Sequence, residues 1–440
     1  PYETVFRAPL EIADGQATIS WLNNDKGFQL DGRNIDVKAK AVHARGGFRY
    51  LQPANDEPWL GILAGISTDD GSQAWRYFPE NLMGKDLVDY LSGAIQGGVA
   101  DNATLVYGGN PQLFPYKHNE GQFEVLVPLR NAKFAFQPDW PALTNLDIEL
   151  DFINDGLWMK TDGVNLGGVR ASNLTAVIPD YSKEKLLIDA DIKGPGKAVG
   201  PYFDETPLKD SLGATLQELQ LDGDVNARLH LDIPLNGELV TAKGEVTLRN
   251  NSLFIKPLDS TLKNLSGKFS FINGDLQSEP LTASWFNQPL NVDFSTKEGA
   301  KAYQVAVNLN GNWQPAKTGV LPEAVNEALS GSVAWDGKAG IDLPYHAGAT
   351  YNVELNGDLK NVSSHLPSPL AKPAGEPLAV NVKVDGNLNS FELTGQAGAD
   401  NHFNSRWLLG QKLTLDRAIW AADSKTLPPL PEQSGVELNM

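Results

Sequence analysis

Any chemistry in this 440-residue sequence has to rest on carboxylates, hydroxyls and six histidines, because cysteine is absent. That absence removes disulfides, thiol nucleophiles and Cys-ligated zinc or iron-sulfur centres together. The histidines, His43, His118, His230, His346, His365 and His402, are scattered, and no pair has the i, i+4 spacing that puts two metal ligands on one helix face. His230 falls on the polar side of an alternating run and reads as a solvated surface residue. The segment Asp222-Gly-Asp224-Val-Asn226 matches the first three ligand positions of a calcium loop. It then places Ala227 where glycine is required and Ile233 where the bidentate Glu belongs, so it reads as a turn. Phosphate-loop, nucleophile-elbow and dinucleotide-binding patterns do not occur. Carboxylates such as Asp147, Glu149 and Asp151 lie on the wet side of a strand pattern, and a solvated face explains them better than paired-carboxylate catalysis. The expectation is a protein that is not an enzyme and has no metal or cofactor.

The elements behind these residues are mostly strands. Apolar and polar residues alternate with period two in Val225–Ile233, Tyr303–Leu309, Leu146–Phe152 and Val380–Val384. Between such runs stand Asn154-Asp-Gly, Asn236-Gly, Asn273-Gly-Asp and Asp385-Gly-Asn, residues that accept the backbone conformations of tight hairpins. Three short segments read as helices instead: Met83, Leu87, Leu91 and Ile95 after Pro79; Leu208, Leu212, Leu216 and Leu219 after Pro207; and Leu321, Val325 and Leu329 around Pro322. Each proline suits a first helical position.

A shift of 119 residues aligns 129–154 with 248–273 without gaps, pairing among others Leu129-Arg-Asn131 with Leu248-Arg-Asn250, Asn145 with Asn264 and Asn154 with Asn273. Leu359-Lys-Asn361 marks a fainter third copy. This periodicity predicts a tandem array, each unit a short helix and about five antiparallel strands. Residues 1–78 would be the remainder of a preceding repeat, 79–206, 207–321 and 322–427 three repeat units, and 428–440 a Pro-rich linker to a missing C-terminal part. The sequons at Asn102, Asn173, Asn250, Asn264 and Asn361 are ordinary for an Asn-rich β protein.

A formal charge of −18 disfavours nucleic acid or an anionic membrane surface as partner, since both require clustered Lys and Arg. No stretch is long and apolar enough to cross a bilayer, and a chain opening at Pro1 suggests an excerpt from a longer protein. The telling feature is the apolar side of some fifteen or more strands, with only three short helices to cover it. Such a face must pack on a second sheet or curl into a trough. The pattern alone does not decide, and Trp158, Trp285, Trp335 and Trp407 leave open an extracellular β-sandwich binding module, favoured if those rings face outward.

The run Trp75-Arg-Tyr-Phe-Pro79 through Gly98, with Asp101–Leu105, Gly121–Val125, Phe136-Gln-Pro-Asp-Trp-Pro141 and Asp147–Phe152, resembles the AsmA-like family of Gram-negative bacteria. The resemblance implies mainly β structure, with repeating β-groove units forming an elongated curled sheet with an apolar channel. It also implies a periplasmic bridge that moves glycerophospholipids between the inner and outer membranes, docked through parts absent from this chain, in a parent protein anchored in the inner membrane. The lining candidates are then Phe123, Val125, Val127, Leu146, Ile148, Leu150, Val225, Leu229, Leu231, Ile233, Val246, Leu248, Val305, Val307, Leu309, Val353, Leu355, Val380, Val382 and Val384. In a sandwich the same residues would be core.

Overall fold

The computed structural model describes residues 6–207, 209, 213–256, 259–319, 321, 323–367, 370–410 and 413–439. Among them are 27 strands. That exceeds the fifteen or so legible as alternating runs, because glycines and asparagines interrupt the alternation of many strands without ending them. The chain groups into two compact units, Pro1–Lys193 with Ala227–Lys243, and Gly194–Asn226 with Gly244–Met440.

In the first unit, β1 (Ile12–Asn24), β2 (Gly27–Ala39), β3 (His43–Pro53), β4 (Trp59–Thr68), β5 (Ile95–Gly109), β6 (Gln122–Phe134), β7 (Leu143–Ile153), β8 (Gly156–Leu166), β9 (Val169–Ile178) and β10 (Lys185–Pro195) form a meander. Each pairs antiparallel with the strand before it. After β11 (Leu219–Asp222), which belongs to the second unit, β12 (Asp224–Pro234) pairs with β10.

The helix expected after Pro79 is two helices, α1 (Glu80–Met83) and α2 (Lys85–Ala94), broken at Gly84, whose φ of 82° continues neither. Pro79 caps α1 from outside instead of occupying its first position, and Ile95 already opens β5. Met83, Leu87 and Leu91 are buried as their spacing implies. Around Pro207 the structure has α3 (Val199–Phe203) and α4 (Ala214–Glu218). Leu216 lies in α4 and Leu219 opens β11, whereas Leu208 and Leu212 fall outside the described residues. The third helix, α5 (Glu323–Ala328), contains Val325.

The second unit continues with β13 (Thr241–Ile255), β14 (Ser260–Ile272), β15 (Asp275–Ser278), β16 (Leu281–Trp285), β17 (Gln288–Glu298) and β18 (Ala302–Trp313). β13 pairs with β11, and the short β15 and β16 share one course between β14 and β17. A separate small ladder joins β19 (Leu329–Gly331) to β22 (Val362–Ser364), the former opened by Leu329. The main ladder runs on antiparallel from β18 through β20 (Val333–Pro344), β21 (Thr350–Asp358), β23 (Ala379–Asn387), β24 (Ser390–Ala397), β25 (Asn401–Leu409) and β26 (Leu413–Ala421). β27 (Gly435–Asn439) then covers the β26 edge in parallel, which keeps that row of backbone groups from pairing with another chain.

The asparagines that matched at a shift of 119 are structural. Asn131 and Asn250 have φ of 49° and 55°, Asn145 and Asn264 of 52° and 55°, and Asn154 and Asn273 of 51° and 53°. Asn131 and Asn264 mark shifts of register in their ladders, at Leu129/Ala132 and Lys263/Ser266. Asparagine tolerates this left-handed backbone better than other non-glycine residues. A further equivalence was hidden in the sequence. The Asn131 N–H donates to Asp147 Oδ1, and the Asn250 N–H to Ser266 Oγ, both at 2.9 Å. The acceptors are again 119 apart although their identities differ.

Candidate functional site

Hydrogen-bonded register decides which side chains share a face, since directly paired residues of a ladder point the same way. In the second unit it collects one row from Leu281 through Val292, Leu309, Gly337, Leu355, Val382, Gly395 and Phe403 to Trp420. A parallel row runs Phe294, Val307, Ala339, Val353, Val384 and Leu393. Val305 stands in a third, with Ile341 and Tyr351, and Val380 meets Gly357 on the same face. The long row crosses nine strands without one polar side chain, about 38 Å at the usual strand spacing.

Burial differs along this face. Leu281, Leu290 and Val292 are buried in a core with Val225, Leu248, Leu262 and Leu265. Val307, Leu309, Val353, Leu355, Val380, Val382 and Val384 are only half-buried, so their apolar surface remains reachable. Val246, also half-buried, packs on that core. The opposite face is exposed and polar, cross-linked by Asn308 to Asp293 (2.7 Å), Asn381 to Asn356 (2.7 Å) and Gln304 to Asp342 (2.9 Å). Lys383 and Asp385 lie on it, exposed.

The first unit has the same two-faced sheet. Val125 pairs with Phe152, Val127 with Leu150 and Leu129 with Ile148, and the rows extend through Leu157 and Met159 to Ile178 and Ala176. Leu146, Ile148 and Leu150 are 1, 6 and 3% exposed, and Phe123, Val125 and Val127 are half-buried. Leu231 and Ile233 of β12 pack into this core, and Leu229 is half-buried on the same strand. Toward β1 the face opens. Ile19, Gly32, Phe48, Ile62, Tyr107 and Phe123 form one row by register, and Trp21, Leu30, Tyr50 and Leu60 the next. Ile19 and Trp21 are 47 and 71% exposed.

Aromatic rings lie over several of the glycines on this face. A Cβ at Gly395 would lie 2.0 Å from the Phe403 ring, one at Gly386 2.6 Å from Tyr351, and one at Gly32 2.2 Å from Phe48. Each ring therefore lies flat across its cross-strand glycine. At one end of β16, β18 and β20, Trp285, Phe286, Trp313 and Trp335 pack edge to face or stacked, with centroids 4.8 to 6.4 Å apart. Trp285 and Trp313 donate their ring N–H to Ser260 Oγ and the Pro289 carbonyl, both at 2.7 Å. Trp407 stacks on Phe391 in the inner row. Of the four tryptophans that the binding-module alternative turned on, only Trp158, paired with Asp151, lies on the outer face. That alternative loses its support.

The residues that could have done chemistry serve the scaffold. His230 Nδ1 meets Asp189 at 2.8 Å on the outer surface. The chain turns at Gly223, and the carbonyls of Asp222 and Asp224 accept from Asn251 Nδ2 at 3.1 and 3.0 Å. Glu149 pairs with Lys160 and Asp147 holds the Asn131 N–H. Burial, with Glu124 and Glu149 nearby, pushes the Asp151 carboxyl above its ordinary range. Burial likewise pushes the Tyr303 phenol up to about 12, so it stays protonated and donates to the Gly274 carbonyl.

The sequence pattern missed Leu281, Val292, Gly337, Leu393, Gly395, Phe403 and Trp420. Glycine or polar residues interrupt the alternation around Gly337, Gly395, Phe403 and Trp420, whereas Leu281 and Val292 stand in short alternating runs, and strand register is what joins them into the row.

In each unit an antiparallel ladder with an apolar inner face is the arrangement expected of a β-groove protein. Residues 1–440 match the family described as "YhdP protein", and the chain belongs to that family. The intermembrane phospholipid transporter YhdP of Escherichia coli (strain K12) is 99% identical over 440 residues, covering 100% of this chain and 35% of that protein. The chain thus spans about a third of that curated relative. No solved structure matches it.

Proposed function

We propose that this chain is a section of a periplasmic bridge that moves glycerophospholipids between the inner and outer membranes. The observation that carries this reading is the unbroken apolar row from Leu281 to Trp420, half-buried along much of its course. Each acyl CH₂ taken out of water there is worth about 0.8 kcal/mol. Because that attraction is non-directional, a chain held by such a row slides without leaving a single deep site. Charged headgroups stay at the open seam, since burying them unpaired is costly. The role is carriage, with the half-buried candidates, among them Val307, Leu309, Val353, Leu355, Val382 and Val384, as acyl-chain contacts. We also infer that residues 79–206, 207–321 and 322–427 are repeats of one design; the shared asparagine geometry at a shift of 119 supports this for the first two. The membranes would be engaged through parts of the parent protein outside this chain.

The test is native mass spectrometry of the purified chain after incubation with phospholipid vesicles. Bound phospholipid that is lost in Leu309→Asp supports the proposal. Absence of any phospholipid, co-purified or taken up, would overturn it.

A further inference from the structure

The inner face of the first unit is open along β1 to β4 but sealed farther on, and the seal is helical. Leu87, Val88 and Leu91 are 0% exposed and join one core with Leu129, Leu146, Ile148 and Leu150, the face on which acyl chains would lie. In the second unit Val307, Leu309, Val353 and Leu355 occupy the corresponding side of their strands half-buried, and α5 has no buried residue.

The outward side of α1 and α2 is held by charge. Arg7, in the segment before β1, bonds Glu80 and Asp89 and reaches the Lys85 carbonyl at 3.2 Å, and Lys85 pairs with Asp89. These groups are partly or well exposed to water, where such pairs contribute little and weaken with salt. Polar ties from α2 to neighbouring strands and loops include the Tyr90 Oη donating to the Phe136 carbonyl at 3.1 Å and the Ala94 carbonyl accepting from the Ala135 N–H at 2.8 Å. Gly84, with its φ of 82°, supplies a joint between the two helices. The residues that α2 buries toward the sheet, Leu87, Val88 and Leu91, are apolar, and an acyl chain could replace their contact with similar burial of surface.

We propose that α1 and α2 form a gate on the lipid path of the first unit, with α2 standing where acyl chains lie and the Arg7 contacts as its latch. This rests on the lipid-carrying reading above. Lipid arriving along the open stretch from β1 to β4 displaces α2 from the face, and α2 reseals the face behind it. The gate keeps the apolar floor dry when no lipid is present.

The test is hydrogen exchange of the whole 440-residue chain before and after incubation with vesicles of phosphatidylethanolamine and phosphatidylglycerol, with uptake followed in parallel by native mass spectrometry. The expected result is exchange on the order of tenfold faster at the α2 amides on loading, with β7 and β8 unchanged. Arg7→Glu, which turns the latch into repulsion, is expected to load lipid several-fold faster. Loading with unaltered α2 protection, and no effect of Arg7→Glu on its rate, would overturn the gate and leave the carrier standing. Failure of the unaltered chain to load at all would overturn the carrier, and the gate with it.

Discussion

Phe286 carries a φ of 47° in the two-residue hairpin between β16 and β17, a conformation that costs a non-glycine residue about 1 to 2 kcal/mol. It is offset by stacking on Trp285 with centroids 4.8 Å apart, worth about 0.5 to 1.5 kcal/mol. Phe286→Ala keeps the backbone cost and loses the ring, whereas Phe286→Gly loses both. Chemical denaturation is therefore expected to rank Gly above Ala in stability, and the reverse order would remove this account of the hairpin. Asp31 gives a second residue-scale expectation. Its carboxyl accepts from Gln29 and from Arg49 at 2.7 Å, and these bonds hold it below the ordinary carboxylate range. A depressed carboxylate stabilises the fold fully above its unfolded value of about 3.9, and loses that contribution as pH falls through the lower folded value. Thermal melts of Asp31→Asn should show a flatter decline below about pH 4 than the unaltered chain. An identical decline would mean that Asp31 titrates alike folded and unfolded.

At the scale of elements, strands were legible wherever apolar and polar residues alternate, as in Val305–Leu309 and Leu146–Phe152. Their register was not, because it depends on hairpins and bulges whose geometry is set by tertiary closure. The asparagine matches pointed to the bulges, and the left-handed backbone there is the reason asparagine suits those positions. Asn250→Ala is expected to cost about 1 to 2 kcal/mol, and Asn250→Gly much less. Equal losses in urea melts would show that side-chain contacts, and not the left-handed backbone, select asparagine. Burial separates two classes of lining residue that the sequence could not distinguish. Leu150→Asp places a charge in a sealed core and is expected to disrupt the first unit. Leu309→Asp sits on a half-buried row and should leave circular dichroism unchanged while lowering phospholipid binding. Unfolding by Leu309→Asp would mean that this row is closed core. The helices were the least legible elements: one four-residue spacing after Pro79 became two helices, because Gly84 interrupts a run that the apolar residues alone do not.

For the molecule as a whole, a formal charge of −18 is spread over a chain whose polar groups crowd the outer face. Approach to an anionic bilayer is then opposed by repulsion that salt screens, with a Debye length falling from about 30 Å at 0.01 M to about 8 Å at 0.15 M. Lipid uptake from anionic vesicles is accordingly expected to accelerate over that range. Slower uptake with added salt would reveal a basic docking surface instead. The class of fold was readable from composition and alternation, which demanded that a large apolar face be covered or curled. Which of the two it is depends on how successive strand-to-strand pairings add up, as they do in placing Leu281 and Trp420, more than a hundred positions apart, at the two ends of one row.

The rings lying over glycines carry a consequence for inheritance. Gly395 cannot enlarge while Phe403 stays, and Phe403 cannot shrink without opening a hole opposite Gly395. Each pair behaves as one genetic unit divided between two strands. Among descendants of this chain, Gly395 with Phe403, Gly386 with Tyr351 and Gly32 with Phe48 should change together or not at all, so the floor of the groove evolves in paired steps while its acidic outer face drifts one residue at a time.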